Sequence, residues 1–231
     1  KPPRGELFMN MYDIDGKKLL TDPRNVLENK IQDFKKKGIN FYAAFELEFF
    51  LVSNELDEYG KLKPAKSILG KRASIKKTDV YSVDHLHSML PLIDDIYEAT
   101  KLAKIDAETI ISEYAPGQYE LTLKHQKSLL KAADDILRLK RIIRAQARKH
   151  GVTACFMAKP MENISGSGMH FHISLYDQDE KNIFAERNNE KINKNLNYAL
   201  GGLSKTMGES MLIFAPNANS WRRFVSGSYA P

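Results

Sequence analysis

Phe45-Glu46-Leu47-Glu48-Phe49-Phe50 is the stretch on which the fold turns. Side chains alternate between the two faces of a strand, so Glu46 and Glu48 point one way. Phe45, Leu47 and Phe49 point the other way, toward a core. Two adjacent carboxylates beside apolar neighbours repel each other and are poorly solvated. Protonation of one, basic partners, or a cation between them relieves the repulsion. Glu-x-Glu by itself is more often a solvated strand face. Three stretches further along extend the pattern.

The first is Glu113-Tyr114-Ala115-Pro116-Gly117-Gln118-Tyr119-Glu120. A Pro-Gly turn folds one strand end back on the next, so Glu113 and Glu120 can face one another. The second, Gly166-Ser167-Gly168-Met169-His170-Phe171-His172, places two histidines at alternate strand positions, again on one face. The third, Asn219-Ser220-Trp221-Arg222-Arg223-Phe224, offers a cationic pair on a loop. Taken singly, each has an ordinary reading: hairpin surface glutamates for Glu113 and Glu120, satisfied core or surface histidines for His170 and His172. Together they supply four glutamates and one or two histidines, mostly oxygen donors. Such a set suits a hard cation such as Mg²⁺ or Mn²⁺ better than zinc.

Around these stretches the pattern predicts a strand over Glu6–Tyr12 and a turn at 13–16. A helix opens at Asp22-Pro23 and stops at Gly38. The strand of Glu46 and Glu48 ends near Val52, and residues 53–83 read as a polar surface excursion. Asp84 caps a helix reaching Lys104. Strands follow over 108–114 and 118–124, then a long helix over 126–149. In that helix Leu129, Ala133, Ile136, Ile143 and Ala147 form the apolar side. A strand over 153–157, a loop at 164–168 and a strand over 169–176 come next. A helix over about 190–213 carries a weak point at Gly201-Gly202, and the tail from 215 is loop. Strands and helices mix without regular alternation, so the class is α+β.

At 231 residues, with 42% hydrophobic and 28% charged residues, the composition is that of a globular chain able to bury a sizeable core. No apolar run reaches membrane-span length, and Lys1-Pro2-Pro3-Arg4 is not followed by the apolar segment of a signal peptide. The single cysteine, Cys155, reads as a small buried hydrophobe and suits a reducing, cytoplasmic compartment. The net charge of +6 gathers at Lys35–Lys37, Lys71–Lys77 and Arg138–Lys149. No aromatics interleave with these basic residues and no nucleic-acid motif accompanies them, so neither nucleic acid nor membrane is an expected partner.

The motifs in this order resemble the catalytic domain of glutamine synthetases. The resemblance rests on Phe45–Phe50, Glu113–Glu120, the run from Lys149 to Pro160, Gly166–Leu175 and Asn219–Pro231, and covers nearly the whole chain. It implies a small N-terminal β-grasp domain followed by a large α+β domain with a curved, mainly antiparallel sheet and flanking helices. Residues 1–14 would be the remnant of the small domain, residues 15–231 the catalytic domain, and the sequence a segment truncated at both ends. Family members join glutamate to ammonia with ATP, through γ-glutamyl phosphate. By match, Glu48, Glu113 and Glu120 are expected to bind a first metal, and Glu46 and His170 a second. His172 matches a phosphate-contacting histidine and Ser174 a residue near the nucleotide base. Gly166 matches a glycine whose backbone meets the amino-acid substrate. Arg223 matches an arginine that holds the glutamate carboxylate, a task suited to a guanidinium fork.

Two departures from the family pattern bear on substrate. Ser165 stands where the family usually has asparagine. Tyr229 stands where ammonium-using members carry a glutamate that helps close the ammonium site. An uncharged phenol does not attract or deprotonate ammonium, so the expected acceptor is an organic amine such as putrescine, with Tyr229 in the substrate site. A true glutamine synthetase using ammonia is the first alternative, and a non-catalytic scaffold or regulatory relative the second. The family assembles into large rings, so a homo-oligomer is expected of the full-length parent, and the segment alone is expected to be inactive.

Overall fold

The structure, a computed structural model, describes residues 5–69, 80–185 and 193–226. In order the elements are α1 (Pro23–Lys36), β1 (Asn40–Ser53), α2 (Val83–His87), α3 (Leu90–Leu102), β2 (Ala107–Ser112), β3 (Gln118–Leu123), α4 (Leu129–Lys149), β4 (Val152–Cys155), β5 (Met169–Tyr176), α5 (Lys194–Phe214) and α6 (Ala218–Trp221). The spine is β1, which is 14 residues long. On one edge it pairs with β3, which in turn pairs with β2. On the other edge β5 takes positions 40–47 and β4 takes positions 50–53. All these pairings are antiparallel, and the class is α+β, as the sequence predicts.

Alternation along β1 divides its two faces. Phe45, Leu47, Phe49 and Leu51 are buried in the main core with Leu92 and Ile96 of α3 and Leu139 and Ile143 of α4. Burying such side chains contributes roughly 1.5–3 kcal/mol each. Helix α4 starts where Ser128 accepts a hydrogen bond from the Lys131 amide. It buries Leu129, Ala132, Ile136, Leu139, Ile143 and Ala147, spacings of three and four that keep one stripe on the sheet. Gln126, expected inside this helix, instead bridges Ala43 at the edge of β1. Half-buried Cys155 packs beside Phe50, Val52 and Ala115 on the other side of the sheet.

Other expectations are corrected. The helix expected over 84–104 is two helices, and Ser82, not Asp84, caps the first. Pro91 lies in the first turn of α3, where its missing amide costs nothing, so the chain breaks just ahead of it. Residues 5–11 form no strand, and Tyr12 makes a single bridge with Lys18. That segment is tied down instead by buried Asn25, whose Nδ2 donates to the carbonyls of Met11 at 2.7 Å and Leu19 at 3.1 Å. Helix α5 begins at its Asn193 cap and runs unbroken through Gly201-Gly202. Residues 190–192 of the expected helix, residues 70–79 of the polar excursion and Tyr229 lie outside the described residues. The tail contains a short helix, α6, capped by Asn217. No described helix is long and apolar enough to cross a membrane.

Candidate metal and substrate site

The face of β1 turned away from the main core carries Glu46 and Glu48. In the β1–β3 ladder Glu48 lies directly opposite Glu120. In the β1–β5 ladder Glu46 lies opposite His170. The His170 Nδ1 is 2.9 Å from one Glu46 oxygen and 4.0 Å from a Glu120 oxygen. The His172 Nε2 is 2.9 Å from the other Glu46 oxygen. One donor atom each from Glu46, Glu120 and His170 lie within 4.8 Å of one another. Glu113 follows β2 directly, and its amide donates to the Gln118 carbonyl at 2.8 Å, which holds it in the hairpin beside Glu48.

The electrostatics match this crowding. Burial, then the charges of Glu46, Glu113 and Glu48, push the Glu120 carboxyl up to about 7. Burial first, with Glu48 and Glu46 adding, raises Glu113 as well. Among the described residues the basic side chains beside Glu46 and Glu120 are the imidazoles of His170 and His172. Several carboxylates with an imidazole among them form a donor set that fits a hard divalent cation. The tightest group, Glu46–Glu120–His170, draws on both of the ligand sets expected from the sequence.

The loop before β5 meets α6 and the residues that follow it at the edge of this cluster. A Cβ on Gly166 would sit 2.5 Å from the Ala158 carbonyl oxygen and 2.8 Å from Arg223 Cγ, so the stem of Arg223 lies across a position only glycine fits. The Arg223 guanidinium reaches Gly168, where a Cβ would be 3.2 Å from Nη1 and 3.5 Å from Glu48 Oε1. Asn219 fixes this approach. Its Oδ1 accepts from the Lys159 amide at 2.9 Å and its Nδ2 donates to the Lys159 carbonyl at 2.7 Å. The Lys159 ammonium in turn donates to the Ile164 carbonyl.

Along β5 the same face continues from His170 through His172, opposite Ala44, to Ser174, opposite Tyr42. The His125 ring lies 6.0 Å from that of His172, and Tyr42 packs on Tyr176 at 4.1 Å. The expected residues Glu46, Glu48, Glu113, Glu120, His170, His172, Ser174, Gly166 and Arg223 therefore fall on one continuous surface. Sequence reasoning missed Gln118, Asn219 and His125. Gln118 lay within reach, since alternation in β3 places it on the face of Glu120. Nothing in the sequence pointed to the Asn219 clamp or to His125.

Residues 20–231 match the family described as glutamine synthetase, catalytic domain. The chain is 39% identical over 227 residues to gamma-glutamylputrescine synthetase of Escherichia coli, covering 98% of this chain and 48% of that protein. It is 34% identical over 230 residues to glutamate–isopropylamine ligase of a Pseudomonas species, covering 97% of this chain and 48% of that one. Glutamine synthetase of Pyrococcus horikoshii is 32% identical over 223 residues, 94% of this chain and 45% of that one. Among solved structures, Plasmodium falciparum glutamine synthetase superposes with a TM-score of 0.81 at 27% identity, covering 95% of this chain and 46% of that one. The chain spans about half the length of the curated relatives it matches.

Proposed function

Because this chain belongs to the glutamine synthetase family, as a stretch of its catalytic domain, we propose that the protein is an ATP-dependent ligase that joins glutamate to an amine through γ-glutamyl phosphate. The observation that carries this is the cluster of Glu46, Glu48, Glu113, Glu120 and His170 beside an arginine laid over Gly166. All five proposed ligands are present, which favours a catalytic protein over a scaffold.

In this reading Glu48, Glu113 and Glu120 hold one Mg²⁺ or Mn²⁺, and Glu46 and His170 hold a second. Bound there, the cations would neutralise phosphate charge during phosphoryl transfer. Arg223 receives the glutamate carboxylate with its guanidinium fork, while the close backbone at Gly166 bounds the amino-acid end. His172 contacts the phosphates, and Ser174, further along β5, borders the base. Holding the two reactants along one sheet face reduces the entropy lost in reaching the transition state.

The acceptor is an organic amine, with putrescine as the leading candidate. Two relatives support this by name, a gamma-glutamylputrescine synthetase and a glutamate–isopropylamine ligase. Tyr229, by resemblance, stands in place of the carboxylate used for ammonium and gives an aromatic wall for a methylene chain. Ammonia is the second reading, favoured by the further matches to glutamine synthetases. Residues 1–14 belong to a preceding small domain in this reading, and the working protein is a cytoplasmic homo-oligomer. The test is a screen of amines for phosphate release from ATP that requires glutamate, in the complete protein. Release stimulated by putrescine above ammonium supports the reading. Release that ignores glutamate and every amine overturns it.

A further inference from the structure

Gln118 opens β3, immediately after the Ala115-Pro116-Gly117 turn, and is 2% exposed. A buried carboxamide needs partners for both its oxygen and its nitrogen. Here the oxygen accepts from the Ala115 amide at 3.2 Å. The nitrogen donates to Glu48 Oε2 at 3.0 Å and to the Gly166 carbonyl at 2.9 Å, with Ser167 Oγ at 3.4 Å. The reversed amide would set oxygen against a carboxylate and a carbonyl, so its orientation is determined. A glutamate at this position would create the same conflict.

Glu48 Oε2 also accepts from the Gly168 amide at 3.0 Å. Two donors therefore occupy one oxygen of Glu48. The other, Oε1, is left beside Gly168 and the Arg223 guanidinium. The Gln118 backbone carbonyl meanwhile accepts from the Glu113 amide. One residue thus touches the settings of two carboxylates and of the glycine loop against which Arg223's stem lies.

We infer that Gln118 is a positioning residue: it fixes which oxygen of Glu48 faces the cation and ties that carboxylate to the Gly166–Gly168 loop. The inference rests on the reading of Glu48 as a metal ligand, and the side-chain amide acts on the cation through Glu48. Partners of ligands in this position typically change metal affinity by about 10–100-fold.

The test titrates Mn²⁺ by electron paramagnetic resonance in the wild type, Gln118→Met, Glu48→Ala and the double variant. Methionine keeps the volume and removes the polar atoms. Affinity in Gln118→Met should fall about 10–100-fold, and the double variant should bind no more weakly than Glu48→Ala, because the two act as one unit. Unchanged affinity in Gln118→Met, or full additivity, overturns the inference. If the wild type binds no Mn²⁺, the metal reading fails and amide exchange judges Gln118 separately. The Gly168 amide should then lose at least about tenfold of its protection in Gln118→Met, while the core amide of Leu121 holds. Equal Gly168 protection overturns the role. If Gln118→Met does not fold, the wild-type side-chain amide decides: exchange-protected protons support the inference, and solvent-rate exchange contradicts it.

Discussion

Glu48 and Glu120 stand directly opposite one another across the β1–β3 ladder. Like charges at directly opposed positions destabilise a sheet. Glu46 on β1 and Glu113 beyond β2 sharpen the conflict, as the raised Glu120 carboxyl records. A sheet that keeps such an arrangement gains from a proton or a cation at that place, and each relief has its own signature.

The proton gives a pH signature in metal-free protein. The Glu120 carboxyl moves from an ordinary 4.5 to about 7 on folding. The folded state therefore binds this proton more tightly than the unfolded state. Its contribution is fully favourable below about pH 4.5 and is lost as pH rises toward 7. Glu120→Gln should remove that loss. In EDTA the variant should melt near the wild type at pH 5 and above it at pH 8. Parallel melting curves across that range would show that the carboxyl is not held this way.

Gly166→Ala forces a Cβ to 2.5 Å from a backbone carbonyl, which cannot swing aside as a side chain can. Destabilisation of about 1–3 kcal/mol is expected, with Arg223 displaced. Gly168→Ala meets side-chain tips, Arg223 Nη1 at 3.2 Å and Glu48 Oε1 at 3.5 Å, and should cost less. Urea unfolding ranks the two variants, and the reverse order would contradict the account of the loop.

Asn219→Ala leaves the amide and carbonyl of Lys159 without their partners. A loss of about 1–3 kcal/mol is expected, with faster proteolysis in residues 217–226. On the proposed reading, the KM for glutamate of the complete protein should rise more than kcat falls, because the segment carrying Arg223 loses its anchor. Unchanged proteolysis would show that the clamp does not hold this loop.

On the proposed reading, Tyr229→Glu in the complete protein should shift acceptor preference toward ammonium. The added carboxylate attracts the cation and accepts its proton. The ratio of kcat/KM for ammonium to that for putrescine should rise at least about tenfold. A ratio that stays put would place acceptor choice elsewhere.

The sequence disclosed whatever rests on period-two alternation. Glu46 and Glu48, the two histidines of β5 and the core side of β1 all fall where their spacing puts them. The Pro-Gly turn likewise announces the hairpin that brings Glu113 near Glu120. Local signals failed where the deciding contact is distant. Glu6–Tyr12 has strand character, yet its backbone is held by Asn25 rather than by a neighbouring strand. Asp84 resembles a helix cap, but Ser82 opens the helix and Pro91 limits it. The carboxamides of Gln118 and Asn219 carry no charge. Their partners lie at Glu48 and Lys159, far along the chain, so the folded structure is needed to reveal those contacts, even though alternation already puts Gln118 on the face of Glu120.

The central claim is that this carboxylate–histidine cluster holds a divalent cation. The most direct measurement is thermal melting with and without millimolar Mn²⁺, in the wild type, Glu48→Ala and Glu120→Gln. Binding to the folded state raises the melting temperature by mass action. The account predicts a clear rise in the wild type and little or none in either variant. Equal rises in all three proteins, or none in the wild type, would contradict it.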